Sequence, residues 1–431
     1  MTGAGGARGG GRVAAHAGVT FAGLMVANVL AYLFFALVSR TVGVEAYGSF
    51  SALVAIVLIV SGPALLAQLV VAKLASDLAL DPDRLAGLVH AVDRVAMLAA
   101  AVAGVALMAL SVPLASVMRV ADPLLVTFAG AALFGAVALP FLRGVLQGTS
   151  RFGAYAVSNV VETGGKALFA PLLGLFQGVR GALAGMALGY ALATCYTFVV
   201  TIPHRRGTPV PFSLRAVARM SASVGCAVFC INLLLLYDGV LAKRYLDAHT
   251  AGLYGAASLA GRALYSIIAF VPVVLLPQAA LRAARRESTC WLLVQALAVA
   301  AVIVASAVGF FALFGARAIV ALTTPGFRGA APLLVPYGYA MGMMALANVI
   351  ATYNIARGRM RFVVPLAAVA LGEIASVVLR HRAVADIVQT VVVGHTLALF
   401  AAATSLGRSS RSTPGERPVP AAGAQPHLAT A

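Results

Sequence analysis

Long apolar stretches follow one another along this chain, separated by short breaks that carry arginine, glycine or proline. A helix rises 1.5 Å per residue, so a run of about 20 apolar residues matches a hydrocarbon layer of about 30 Å. Twelve runs can be marked, at 17–38, 48–72, 87–112, 123–147, 155–176, 180–202, 220–242, 250–281, 290–314, 330–355, 362–379 and 384–406. The alternation over about ten residues that marks membrane β-strands is absent. The pattern predicts an all-α polytopic membrane protein, because helices satisfy their own backbone hydrogen bonds in lipid.

Composition agrees. The 431 residues are 61% hydrophobic and 10% charged, where a soluble domain carries roughly a quarter charged; mean hydropathy is +0.97. The net charge of +18 does not point to nucleic acid, since the basic residues sit at the ends of the runs and not on one soluble face. Cys195, Cys226, Cys230 and Cys290 show neither metal-ligand spacing nor a disulfide framework, so no metal or cofactor is expected. Residues 1–16 read as a flexible basic tail, and the first run as a retained helix, with no signal-type cleavage site after it. The Pro/Ser/Ala-rich tail 407–431 should be disordered. Lysine and arginine are roughly twice as frequent on one side (Arg143, Arg151, Arg205, Arg206, Arg282) as on the other (Arg119, Arg180, Lys243, Arg317), which places both termini in the cytoplasm.

The breaks contain a repeat. "SRTVGVEAYGSF" (39–50) ends the first run, with Gly43 and Gly48 available for a tight reversal. Superposing Arg40 on Arg244, an offset of 204, brings Asn28 onto Asn232, Gly48 onto Gly252 and Phe50 onto Tyr254. "GTSRF" (148–152) matches "GRMRF" (358–362) at an offset of 210. Two copies in the same orientation predict an amino-terminal lobe over 17–202, a basic linker over 203–219 and a carboxy-terminal lobe over 220–406. The two six-helix lobes would flank a central cavity with the site at their interface.

The stretches "LVSRTVGVEAYGSFSAL", "GVLQGTSRFGAYAVSNVVE", "DGVLAKRYLDAHTAGLYGAASLAGRALY" and "NIARGRMRF" resemble the polysaccharide-transport branch of the MOP exporter superfamily, which contains the Wzx-type flippases. The resemblance covers all twelve runs, and the stretch from Asp238 to Tyr265 is the most specific. It implies two lobes around a cavity open alternately to either membrane face. The implied substrate is an undecaprenyl-diphosphate-linked oligosaccharide, carried across a bacterial cytoplasmic membrane. Membrane lipids, a glycan polymerase and glycosyltransferases are the implied partners. Lipid II flippases of the superfamily generally carry two further spans.

Charges inside apolar runs cost several kcal/mol and usually face a cavity or a partner. Tyr254, Ser258, Arg262 and Tyr265 form a stripe spaced four, four and three, which suits a diphosphate and sugar rings. A structural pairing of Arg262 with Asp238 also fits. Glu162 and Lys166, four apart, read either as a polar cavity wall with an ion or proton site at Glu162, or as a self-neutralised pair. Asn28, Tyr32 and Ser39 share a face ending beside Arg40, as cavity lining or as interhelical hydrogen bonding. Glu373 and Asp238 are candidates for ion or proton coupling; for Glu373 a salt bridge to the opposing lobe is the alternative. Substrate lining is expected at Arg262, Tyr254, Ser258, Tyr265, Lys166, Asn28, Tyr32 and Arg40. Two function classes compete: an oligosaccharide flippase, and a cation-coupled multidrug or small-molecule exporter of the same fold, which would need a more acidic or apolar cavity. A membrane enzyme is disfavoured, because every outer connection is short and none holds a carboxylate pair or histidine cluster.

Overall fold

The computed structural model describes residues 4–206, 210, 215–284 and 289–406; the tail 407–431 lies outside them. Nine helices among the described residues are long and apolar enough to cross a membrane, and Val363–Leu379 is a shorter apolar one. Two of the nine are of double length, α1 (Ala4–Asp77) and α5 (Phe152–Thr201). Each folds back at a glycine with positive φ, Gly43 (φ 73°) and Gly178 (φ 58°), a conformation that costs glycine little. Across the first bend the Phe34 and Phe50 rings lie 5.7 Å apart, where a straight helix would separate them by about 24 Å. Across the second, Lys166 lies 4.3 Å from the Tyr190 ring, against about 36 Å along a straight helix. With both folded back, the helices account for about twelve crossings. Gly48, expected in the first turn, is instead inside the second limb of α1.

The other helices are α2 (Pro82–Ala109), α3 (Ser111–Val117), α4 (Leu124–Gly148), α6 (Arg215–Tyr245), α7 (Ala248–Ile268), α8 (Phe270–Ala284), α9 (Cys290–Leu322), α10 (Ala331–Ala356), α11 (Val363–Leu379) and α12 (Val384–Ala403). Local chemistry sets several of their ends. Asp81 caps α2 by accepting from Arg84 N–H at 3.1 Å, and Asp247 caps α7 from Thr250 N–H at 3.0 Å. The hydrogen bonds from Thr250 hold the Asp247 carboxyl below its usual range. The run 250–281 is two helices: Pro272 lacks an N–H and its ring crowds the carbonyl of Ile268, so α7 stops there. The helix α1 already begins at Ala4.

The two matched turns are the same structure at a different register. Ser150 (φ 58°) and Gly358 (φ 68°) occupy the left-handed position after α4 and α10. Arg151 N–H donates to Leu146 and Arg359 N–H to Asn354, the closing bonds of a Schellman motif. The offset between these turns is thus 208, not 210.

The helices pack as two bundles, α1, α2, α4 and α5 in one and α6 to α12 in the other, joined mainly through α1 against α6 and α7. Arg40 with Thr323, Arg180 with Asp122, and Tyr245 with His381 mark one end of the molecule, the far side. Residues 148–151, 200–206 and 356–359 mark the near side, where Arg151 donates to the Val200 carbonyl. Arg205, in the linker, forms a two-point ion pair with Asp93 of α2 at 2.7 and 3.0 Å. On the far side the amino-terminal core continues into Ala256, Ala257, Ala260, Ile319 and Phe327 of the other bundle. The carboxy-terminal core contains a single residue of the first bundle, Ala55. The bundles are therefore joined tightly at the far side.

Candidate functional site

Between the bundles lies a cavity of about 410 Å³ whose walls come from both, within the usual range for ligand sites. Its far end is sealed by two devices. Gly48 of α1 and Gly252 of α7 cross so closely that a Cβ on Gly48 would sit 2.9 Å from the Gly252 nitrogen. Tyr47 meets Phe327 edge-on at 5.5 Å. Gly48 and Gly252 are the residues equated by the 204 offset: equivalent positions meeting each other is what a two-fold axis between the bundles produces.

The amino-terminal wall is built around Glu162. Arg143 Nη1 lies 2.7 Å from its Oε2 and Lys166 Nζ 2.5 Å from its Oε1. Arg143 is further fixed by donating from Nε to Ser158 Oγ (2.9 Å) and from Nη2 to the Ser158 carbonyl (2.8 Å). Ser158 Oγ in turn lies 2.7 Å from Thr197 Oγ1. Arg143, Glu162 and Lys166 are all at least nine-tenths buried, and together they carry a surplus positive charge. Burying such a cluster is tolerable only because every charge has a close partner.

The carboxy-terminal wall is built around Asp238, which is fully buried. Its Oδ2 accepts from Tyr254 (2.7 Å) and Tyr337 (2.5 Å), and its Oδ1 faces Arg262 Nη2 at 3.2 Å. Arg262 Nε also donates to the Leu235 carbonyl at 3.0 Å. A guanidinium has five N–H groups, so Arg262 retains donors for a ligand. Tyr32 of the other bundle donates to the Arg262 carbonyl at 3.3 Å.

Of the residues singled out in the sequence, Asn28, Tyr32, Glu162, Arg262 and Tyr265 line the cavity. Asn232, the repeat partner of Asn28, lines it too. Four expected lining residues do not. Tyr254 and Ser258 are buried behind the wall, Ser258 donating to the Gly255 carbonyl at 2.9 Å. Each step of four residues advances a helix about 40° beyond a full turn, so Tyr254, whose ring meets Tyr337 of α10 edge-on, stands about 80° from Arg262, which faces the cavity. Lys166 is one such step past Glu162 and packs on Tyr190. Arg40 is on the far side, donating from Nε to the Thr323 carbonyl (2.9 Å) and from Nη2 to Ala321 (2.6 Å). These are the open carbonyls at the end of α9, where a cation is favoured. Asp238 and Glu373 are buried away from the cavity, and Glu373 pairs within its own bundle, 3.9 Å from His395, not across to the other. Arg143, counted with the cytoplasmic arginines, is instead a wall residue.

The Arg40 bonds join the bundles, so opening the far side must break them. Arg40→Ala is expected to shift the closed–open equilibrium toward open by roughly tenfold, or about 1.4 kcal/mol. Distances between spin labels placed on the far-side ends of α1 and α9 report it; an unchanged distribution would show that Arg40 is no latch.

The fold is that of the MOP superfamily transporters. A solved structure described as the inward-facing conformation of a multidrug resistance MATE family transporter of that superfamily superposes with a TM-score of 0.72 at 12% identity, over 89% of this chain and 96% of that one. The lipid II flippase MurJ in an inward closed conformation gives 0.67 at 12% identity, over 90% and 87%. A MOP transporter from Pyrococcus furiosus, described as having a binding pocket of reverse polarity, gives 0.55 at 13% identity, over 89% and 91%. No protein-family model and no curated protein matches the sequence.

Proposed function

We propose that this chain is a flippase that moves an undecaprenyl-diphosphate-linked oligosaccharide across a bacterial cytoplasmic membrane by alternating access, with both termini cytoplasmic. The supporting observation is that two guanidinium groups, Arg143 and Arg262, one from each bundle, line the same cavity. Guanidinium matches phosphate oxygens in charge and geometry, and Asn28, Asn232 and Tyr265 offer hydrogen bonds and an aromatic face for sugar. The head group would sit in this cavity while the polyprenyl tail stays in lipid, and rocking of the bundles would expose it to the other side. Movement of this kind needs no covalent chemistry. Much of the lining is apolar, which a multidrug exporter would also offer, but Glu162, the wall carboxylate, is neutralised by Arg143 and Lys166 and leaves no free negative charge there for a cationic drug.

In proteoliposomes, the protein should speed transbilayer movement of a fluorescent undecaprenyl-diphosphate oligosaccharide, and Arg262→Ala should slow it at least tenfold. That variant should still fold, because Tyr254 and Tyr337 continue to satisfy Asp238. Equal movement of a labelled phosphatidylcholine, or a wild-type rate in Arg262→Ala, would refute the reading.

A further inference from the structure

The cavity wall repeats itself across the two bundles. The second limb of α1 lines it with Ala55, Leu58 and Ser61, and α7 lines it with Leu259, Arg262 and Tyr265. Each residue of the second set follows its counterpart by 204, the offset that superposes Gly48 on Gly252. We propose that these two helices form one seam, open in this structure from its near end, and that in the opposite state Gly62 meets Ser266 and Leu65 meets Ala269 to seal the near side.

The far end of the seam is closed. A Cβ on Gly48 would lie 2.9 Å from the Gly252 nitrogen, and a Cβ on Gly255 would lie 2.6 Å from Ser51 Oγ. Residue 48 thus meets 252, and 51 meets 255, each against its own equivalent. One turn further on, 55 and 259 already border open space, and so do 58 with 262 and 61 with 265. Both helices run from the far side to the near side, so they diverge with depth. Positions 51, 55, 58, 62 and 65 step by four, three, four and three, and 255, 259, 262, 266 and 269 repeat those steps. This is the spacing of a parallel coiled-coil seam, whose a and d positions face the partner helix. A two-fold axis that pairs equivalents at the far end pairs them at the near end too, once the arms swing together.

The side chains suit a closing contact. Gly62 and Ser266 are small, as Gly48 and Gly252 are, and small residues let helices approach closely in a membrane. Leu65 is 52% exposed although it lines the cavity, an apolar group whose cover is missing in this state, and Ala269 opposite would leave it room. Two side chains stand in the gap. Asn232 of α6 lies against Gly62, where a Cβ would come within 2.6 Å of its Nδ2. Tyr32 of the first limb of α1 hydrogen-bonds to Ser266 and to the Arg262 carbonyl. Closing the seam therefore requires both to withdraw.

The seam also places the substrate group. Leu58 and Arg262 lie between the two crossings, about 15 Å along the helix from the far one and about 6 Å from the near one. Either end can part while the pair between them keeps its level in the membrane. A head group held by Arg262 would then be shut off on the far side in one state and on the near side in the other. Only this last step rests on the flippase reading.

Disulfide cross-linking tests the seam, since the bond forms only when two Cα atoms come within about 7 Å. In full-length protein with the native cysteines replaced by serine, Leu65→Cys and Ala269→Cys are oxidised with copper phenanthroline in membranes. Gly252→Leu, which holds the far side open, should speed this cross-link roughly tenfold by favouring the state closed at the near side. Ser266→Leu, which puts a bulky side chain into the cavity at the near crossing, should slow it by a similar factor, and Ser266→Ala should not. Leu65→Cys paired with Ile267→Cys, on the face of α7 turned to α9, should stay reduced. A cross-link indifferent to Gly252→Leu and Ser266→Leu, or equally fast with Ile267→Cys, would overturn the seam. In proteoliposomes, the completed cross-link between positions 65 and 269 should stop movement of the fluorescent diphosphate lipid, and reduction should restore it. Undiminished movement with the cross-link formed would show that this closure is no step of the cycle. Absence of lipid movement before oxidation would sink the flippase reading, while the cross-linking rates still decide whether the seam exists.

Discussion

Asp238→Ala, which removes a carboxylate buried behind the cavity wall, is expected to destabilise the detergent-solubilised protein by about 3–5 kcal/mol. One carboxylate here serves Tyr254, Tyr337 and Arg262, and all three lose their acceptor together. The two hydroxyls and a guanidinium would then sit in a low-dielectric interior with no water to replace the lost bonds. The geometry makes a graded series possible. Asp238→Asn keeps an oxygen acceptor for one tyrosine but loses the charge opposite Arg262, so its cost should be intermediate. Arg262→Ala should cost least, since the carboxylate keeps two donors. Thermal unfolding followed in detergent ranks the three; if Asp238→Ala proved as stable as Arg262→Ala, the carboxylate would not be the hub of this wall.

Gly252→Leu is expected to reduce transport at least a hundredfold while the protein still inserts and folds. At this crossing a Cβ would overlap the Val44 carbonyl oxygen. The obstacle is backbone and cannot rotate aside, as the tip of a flexible side chain would. Small residues permit close helix approach in membranes, and here they permit the far side to shut. A bulky residue should therefore hold the far side open and stop the cycle without harming either bundle. Gly48→Ala, whose Cβ would meet Gly252 N at 2.9 Å and the Ala251 carbonyl carbon at 3.0 Å, should produce a milder, several-fold loss. Spin-label distances on the far side should lengthen in the same order. Normal transport by Gly252→Leu would mean that far-side closure is not part of the cycle.

Much of this architecture was legible in the sequence for a physical reason: lipid forces every crossing to be a long apolar helix, so the runs announce themselves. The repeat was visible because equivalent positions meet at the axis, as Gly48 and Gly252 do. The chemistry was less legible. Arg143 sits near the end of the run 123–147, where arginines commonly serve as interfacial anchors. Its partner Glu162 lies across a turn, and only packing brings them together. The apolar residues on both sides of it, Leu142 and Val145, were the available hint. His395 passed unnoticed because a lone histidine in "VVVGHTLALF" reads as ordinary core; the glycine before it marks where Glu373 fits. Tyr254 and Ser258 were assigned to the cavity because spacing by four looks like one face, although the face drifts by about 40° at each step.

One measurement bears most directly on the claim that charges line a space between two bundles, open to the near side and closed at the far side. With the four native cysteines replaced by serine, Ser266→Cys places a single thiol on the cavity wall. A membrane-impermeant thiol reagent should label it from the near side and leave it untouched from the far side. Labelling from the far side alone, or from neither side, would contradict the account.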